Sequence, residues 1–126
     1  MKILRKQADR LIPKIVQAAE RVNADDRMLH VIERVALFGS YMGAKAKLGD
    51  LDVAVLLSER SDPVDRQAFE RAFPIPAHAG DLDRLFWPDV VAKCSLRVHP
   101  AVHTLFWNVI EARDLPHRVI YERAPV

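Results

Sequence analysis

Apolar residues recur at three- and four-residue steps through Ile3, Leu4, Ala8, Leu11, Ile12, Ile15, Val16 and Ala19. That period predicts an amphipathic helix over 3–22. Pro13 falls inside it as a candidate kink. Asn23 to Asp26 reads as a polar turn, and 27–32 as a short helical continuation. Arg34 to Phe38 is the first strand, closed by Gly39. Ser40 to Lys47 reads as a short helix or turn. Leu51 to Leu57, an unbroken apolar run, is the clearest strand. Ser61 or Asp62 can cap a helix that has Pro63 at its first position and runs to Ala72. Phe73 to Gly80 is a loop broken by prolines. Leu82 to Trp87 reads as a third strand stopped by Pro88, and Asp89 to Cys94 as a helical turn. His99 and Pro100 open a last helix to Ala112, with Val102, Leu105, Phe106 and Val109 on one face. Arg118 to Tyr121 is the closing strand.

The resulting order predicts an α/β (α+β) fold, a small mixed β-sheet of three to four strands flanked by helices. Its 126 residues predict a single domain over 1–126. That length can bury a core without metal or disulfide staples. Composition adds little: 50% apolar and 29% charged residues are ordinary for a globular chain. A formal net charge of +2 gives no strong nucleic-acid signal and no pull toward an acidic membrane. No apolar run approaches the roughly 20 residues of a membrane span. The N-terminal segment has charges where a signal peptide has its apolar core. Cys94 is the single cysteine, so no internal disulfide forms, which suits a cytoplasmic protein.

Candidate chemistry concentrates in residues 37–57, LFGSYMGAKAKLGDLDVAVLL. Strand alternation points Asp50 and Asp52 the same way. Two neighbouring carboxylates at the mouth of an apolar strand repel each other and resist desolvation. A divalent cation between them removes both costs. Magnesium takes oxygen ligands, commonly one or two carboxylates completed by water and phosphates. Ahead of them, Gly39 lets the backbone approach a ligand closely. Free N–H groups after it make a phosphate seat, and Ser40 adds a hydroxyl. Each half alone is a common structural feature: a plain turn, and a solvated strand start. Together they describe metal-assisted phosphoryl or nucleotidyl transfer.

LFGS, followed after nine residues by DLDVAVLL, resembles the signature of the minimal nucleotidyltransferases. These are members of the DNA-polymerase-β-like nucleotidyltransferase superfamily. The resemblance implies a Mg-dependent nucleotidyltransferase that moves a nucleoside monophosphate from a nucleoside triphosphate, ATP by preference, to a hydroxyl acceptor. It implies that Gly39 and Ser40 hold the triphosphate. Asp50 and Asp52, with a third carboxylate on a later strand, hold two magnesium ions. Asp83 in GDLDRLFW is the choice for that third position, with Asp81 in reserve. The spacer YMGAKAKLG is one residue shorter than the commonest form and lacks the usual arginine, so Lys45 and Lys47 are the candidate phosphate-binding cations. The chain is too short to hold the extra domain that usually supplies acceptor specificity. The resemblance therefore implies a protein partner, a helical toxin-like protein modified on a tyrosine, or a homo-oligomer. The alternative is a catalytically weak or inactive module of the same fold, antitoxin-like, acting by protein–protein contact.

Other signals are weaker. His99 and His103 have a helical metal-ligand spacing, but Pro100 takes His99 out of the helix and no third ligand is near in sequence. The Arg97 to His103 spacing matches that of an all-helical RNase family, a fold that this strand content excludes. Cys94 reads as a small core residue, and Trp107 as an aromatic off the main apolar face of its helix.

Overall fold

The computed structural model describes residues 2–62 and 64–125. In chain order the elements are β1 (Ile3–Leu4), α1 (Arg5–Ala24), β2 (His30–Phe38), a 3₁₀ turn (Gly39–Met42), β3 (Lys47–Leu48) and β4 (Leu51–Glu59). Then follow α2 (Arg66–Ala72), α3 (Asp81–Leu85), α4 (Trp87–Cys94), β5 (Val102–Phe106), α5 (Asn108–Arg113) and β6 (His117–Glu122). The fold is mixed α/β. A four-stranded sheet runs in the order β5-β4-β2-β6, and β1 pairs with β3 in a two-stranded ribbon. β2 is antiparallel to both β4 and β6, while β4 and β5 are parallel. A parallel neighbour cannot be reached by a tight hairpin. The chain between β4 and β5 accordingly makes the crossover through α2, α3 and α4.

One sheet face carries the main core. Ala8, Leu11, Ile15, Ala18, Ala19 and Val22 of α1 are buried there, against Val35 and Leu37 of β2 and Val53 and Val55 of β4. Phe69 of α2 and Ala92 of α4 belong to the same cluster. α1 is therefore held by its apolar stripe, as the period predicts. Pro13 lies on its exposed side, and the helix continues through it. The opposite face holds a smaller cluster of Ala36, Phe38, Ala54, Trp107 and Ile110. Strand alternation separates the two: the odd-numbered residues of β4 face the main core, and Asp52 and Ala54 face the small one.

Four expectations fail locally, each for a physical reason. Residues 27–32 do not continue as helix. The Asp25 carboxylate turns the chain by accepting from the Arg27 N–H, and β2 already begins at His30. Its β-bulge between Ile32 and Arg34 is bridged by Asn23, whose side chain accepts from the Ile32 N–H (2.7 Å) and donates to the Ile32 carbonyl (2.9 Å). Residues 82–87 are not a strand. Leu82 and Leu85 stand at helical spacing in α3, and Pro88 sits at the start of α4, where its missing N–H costs nothing. Nor is 100–112 one helix. Val102 and Thr104 are buried while His103 between them is exposed, a period of two that fits β5. The helix that follows is only Asn108–Arg113.

The fourth concerns α2, which starts at Arg66 with Asp65 as its cap, the carboxylate accepting from the Gln67 N–H at 2.9 Å. Ser61 and Asp62 precede the helix, and the expected role of Pro63 lies outside the described residues. Cys94 is exposed rather than in the core. Among the described residues no helix is long and apolar enough to cross a membrane.

Candidate active site

β2 ends at Phe38, and the chain turns at Gly39 with φ +71°, a left-handed conformation that suits glycine. The 3₁₀ turn Gly39–Met42 follows. Phe38 is the register partner of Asp52, so the turn and the first residues of β4 sit side by side. The contact is close. A Cβ built on Gly39 would collide with Oδ2 of Asp52. Gly39 is thus required twice, by its backbone angle and by the carboxylate against it. Ser40 is exposed, and its hydroxyl lies beside Gly49, 3.9 Å from where a Cβ there would be.

The spacer is fixed from an unexpected direction. Arg5, in the first turn of α1, donates to the backbone carbonyls of Tyr41 (3.0 Å), Gly43 (2.7 Å) and Lys45 (3.0 Å). Its guanidinium lies over the Tyr41 ring at 4.9 Å, and the Tyr41 hydroxyl donates to Asp9 at 2.7 Å. That bond, followed by burial, pushes the Tyr41 hydroxyl pKa up. An arginine therefore does serve this loop, but as a clamp on carbonyls. Sequence reasoning missed it because Arg5 lies 36 to 40 residues from its partners. Lys45 and Lys47 remain exposed, and Lys47 pairs with Leu4 across the β1–β3 ribbon.

Asp52 is partly buried at the head of β4. Burial pushes its carboxyl above the ordinary range. His103 opposes this by hydrogen bonding, and the nearby Asp50 carboxylate adds to the rise. His103 is the parallel register partner of Asp52, with Nδ1 3.2 Å from Oδ1. Its side chain is otherwise open to solvent. Asp50 stands just before β4, where Arg97 and His103 both act on it electrostatically. His99 does not join His103, because its Nδ1 accepts from the Ala101 N–H at 3.0 Å and closes a turn.

Asp83 is not brought to Asp50 and Asp52. It lies on α3 with Asp81, exposed, beside a groove bordered by Glu59 and Glu111. The reason is that the segment expected as a strand is the helix α3. The later strand next to β4 is β5, and the residue it sets opposite Asp52 is His103. The local signal for this was the alternation V-H-T-L-F, masked by an equally good helical period.

The donors here are thus two carboxylates and an imidazole. Two carboxylates are a donor set that magnesium accepts when water and phosphates complete its shell. Among the described residues no group of three or more His, Cys, Asp or Glu side chains gathers closely enough to hold a metal, and Asp83 does not join Asp50 and Asp52 in one. Trp107 is buried rather than displayed. It packs in the small cluster between the Arg34 guanidinium (5.6 Å) and the His117 ring (5.5 Å). No protein-family model, no curated protein and no solved structure matches this chain.

Proposed function

We propose that this chain is a nucleotidyltransferase-type domain. It seats a nucleoside triphosphate, with ATP the first candidate, on the Gly39–Ser40 turn. Asp50 and Asp52 would hold magnesium, which would supply charge stabilisation for the phosphates during transfer. The hydroxyl acceptor comes from another chain, and a tyrosine of a helical partner protein is the first candidate. Lys45 and Lys47, both exposed beyond the turn, are the cations available to the phosphates. The observation that carries this reading is the fit of Gly39 against Asp52. A glycine turn that serves only to reverse the chain has no need to press on a half-buried carboxylate. A turn that seats phosphate beside a metal-binding carboxylate does.

One observation favours a second reading, a module of this fold that binds its partner without transferring a nucleotide. His103 stands where a third carboxylate would assist the acceptor, and it already engages Asp52. The two readings separate in one experiment. The protein is incubated with a candidate helical partner protein, α-labelled ATP and magnesium. Label on the partner that disappears in Asp52→Asn supports transfer. A tight complex with no label from any nucleotide, unchanged in Asp52→Asn, overturns transfer in favour of the second reading.

A further inference from the structure

A helix in a globular domain normally turns its apolar side inward. α3 does the reverse. Its Arg84 reaches back to the loop before it and donates to the carbonyls of Ala77 (2.9 Å), Ala79 (3.2 Å) and Pro76 (3.4 Å). That leaves Leu82 71% exposed, Leu85 69% and the following Phe86 49%. Clustered apolar exposure of this kind marks a contact surface more often than scattered single residues do.

The exposed side chains continue into a groove of about 750 Å³. Leu56, Val90, Phe106 and Trp107 give it an apolar floor, and Leu82 and Phe86 form one wall. Its charge is one-sided. Glu59, Asp83, Asp89 and Glu111 line it, and no lysine or arginine does. Asp89 is paired with His30 at 3.0 Å, whereas Glu59, Asp83 and Glu111 have no cationic partner among the described residues. Lys93 stands near, over the Phe106 ring at 4.7 Å.

From the exposed α3 residues, the apolar groove and its acidic rim, we infer that this face docks an amphipathic helix of another protein, apolar on one side and lined with lysine or arginine beside it. Leucine-type anchors at i, i+3, i+4 and i+7 fill such a groove, and the rim carboxylates select the basic flanks. A second copy of this chain is a poor occupant. Its one long basic helix, α1, already buries its apolar stripe in its own core. The groove includes neither Asp50 nor Asp52, so the docking does not depend on nucleotide transfer.

The test uses a synthetic helical peptide of about 18 residues with leucine anchors on one face and lysines elsewhere. One control replaces the lysines by glutamates, and another scrambles the leucines off a common face. Binding is followed by amide chemical shifts of the full chain. The expected result is saturable binding of the lysine peptide with shifts at Leu82, Phe86 and Glu111. Both controls should bind about tenfold more weakly or worse, and Leu82→Ser should weaken the lysine peptide by a similar factor. Leu82 is open to solvent, so that variant should keep the parent spectrum elsewhere. Asp52→Asn should bind the peptide normally, which separates this surface from the transfer site. No saturation up to about 1 mM, equal binding of the three peptides, or shifts confined to other faces would overturn the inference. So would sedimentation that shows a dimer dispersed by Leu82→Ser, because the occupant would then be a second copy.

Discussion

Replacing Gly39 by alanine isolates the contact between the turn and Asp52. Two costs arise together. Left-handed backbone costs an alanine about 1–2 kcal/mol, while loss of glycine's freedom in the unfolded chain returns about 0.4–1 kcal/mol. The net backbone cost is about 1 kcal/mol. The new Cβ also meets Oδ2 of Asp52, with Cγ only 3.3 Å away. Asp52 must rotate, and its contact with His103 goes with it, for about 1 kcal/mol more given the exposure of the histidine. The total is about 2 kcal/mol, or roughly 6–10 °C in melting temperature for a domain of this size. Urea unfolding followed by circular dichroism measures it. Gly80→Ala is the control, since nothing lies within 4 Å of a Cβ there and its φ is −70°. In an Asp52→Ala background the Gly39→Ala cost should fall to the backbone part, about 1 kcal/mol. Two outcomes would refute the reasoning: a cost equal to that of Gly80→Ala, or the same cost with and without the Asp52 side chain.

Asp52 has its carboxyl raised by burial, so its contribution to stability is full below the unfolded-state value and is lost as pH rises through the folded-state value. Asp52→Asn should therefore melt higher than the parent at pH 7, and the gap should close near about pH 3; equal melting at pH 7 contradicts this. Glu33 behaves oppositely. Ser58 (2.7 Å) and then Arg123 (2.7 Å) hold its carboxyl below the usual range against the effect of burial, so its contribution exists above the unfolded-state value and is lost as pH falls through the folded one. Glu33→Gln should cost about 1 kcal/mol at pH 7 and nothing in acid, as read from denaturation midpoints across pH. Asn23 also donates to the Tyr121 hydroxyl at 2.8 Å, so Asn23→Ala strips both the β2 bulge and a contact to β6. A loss of about 2 kcal/mol is expected, and a change under 0.5 kcal/mol would show that the bulge holds itself.

Local features survived the step from sequence to structure wherever one element decided them. The stripe of α1, the apolar runs of β2 and β4 and the closing strand β6 all formed, because each period matched a single geometry. The turn at Gly39 could be read for the same reason, since it depends on one residue and its immediate neighbours. The segments around Phe86 and Leu105 were ambiguous. Short apolar runs satisfy either a helical or a strand period, and only the unpaired edge of β4 drew Val102–Phe106 into the sheet. That one pairing, made across 51 residues, put His103 rather than Asp83 against Asp52. Local pattern alone made the glycine turn and the strand that carries Asp52 legible. Tertiary structure decided the pairing of His103 with Asp52, the arginine that clamps the spacer and the apolar groove beside α3, since each arises between side chains that no local pattern brings together.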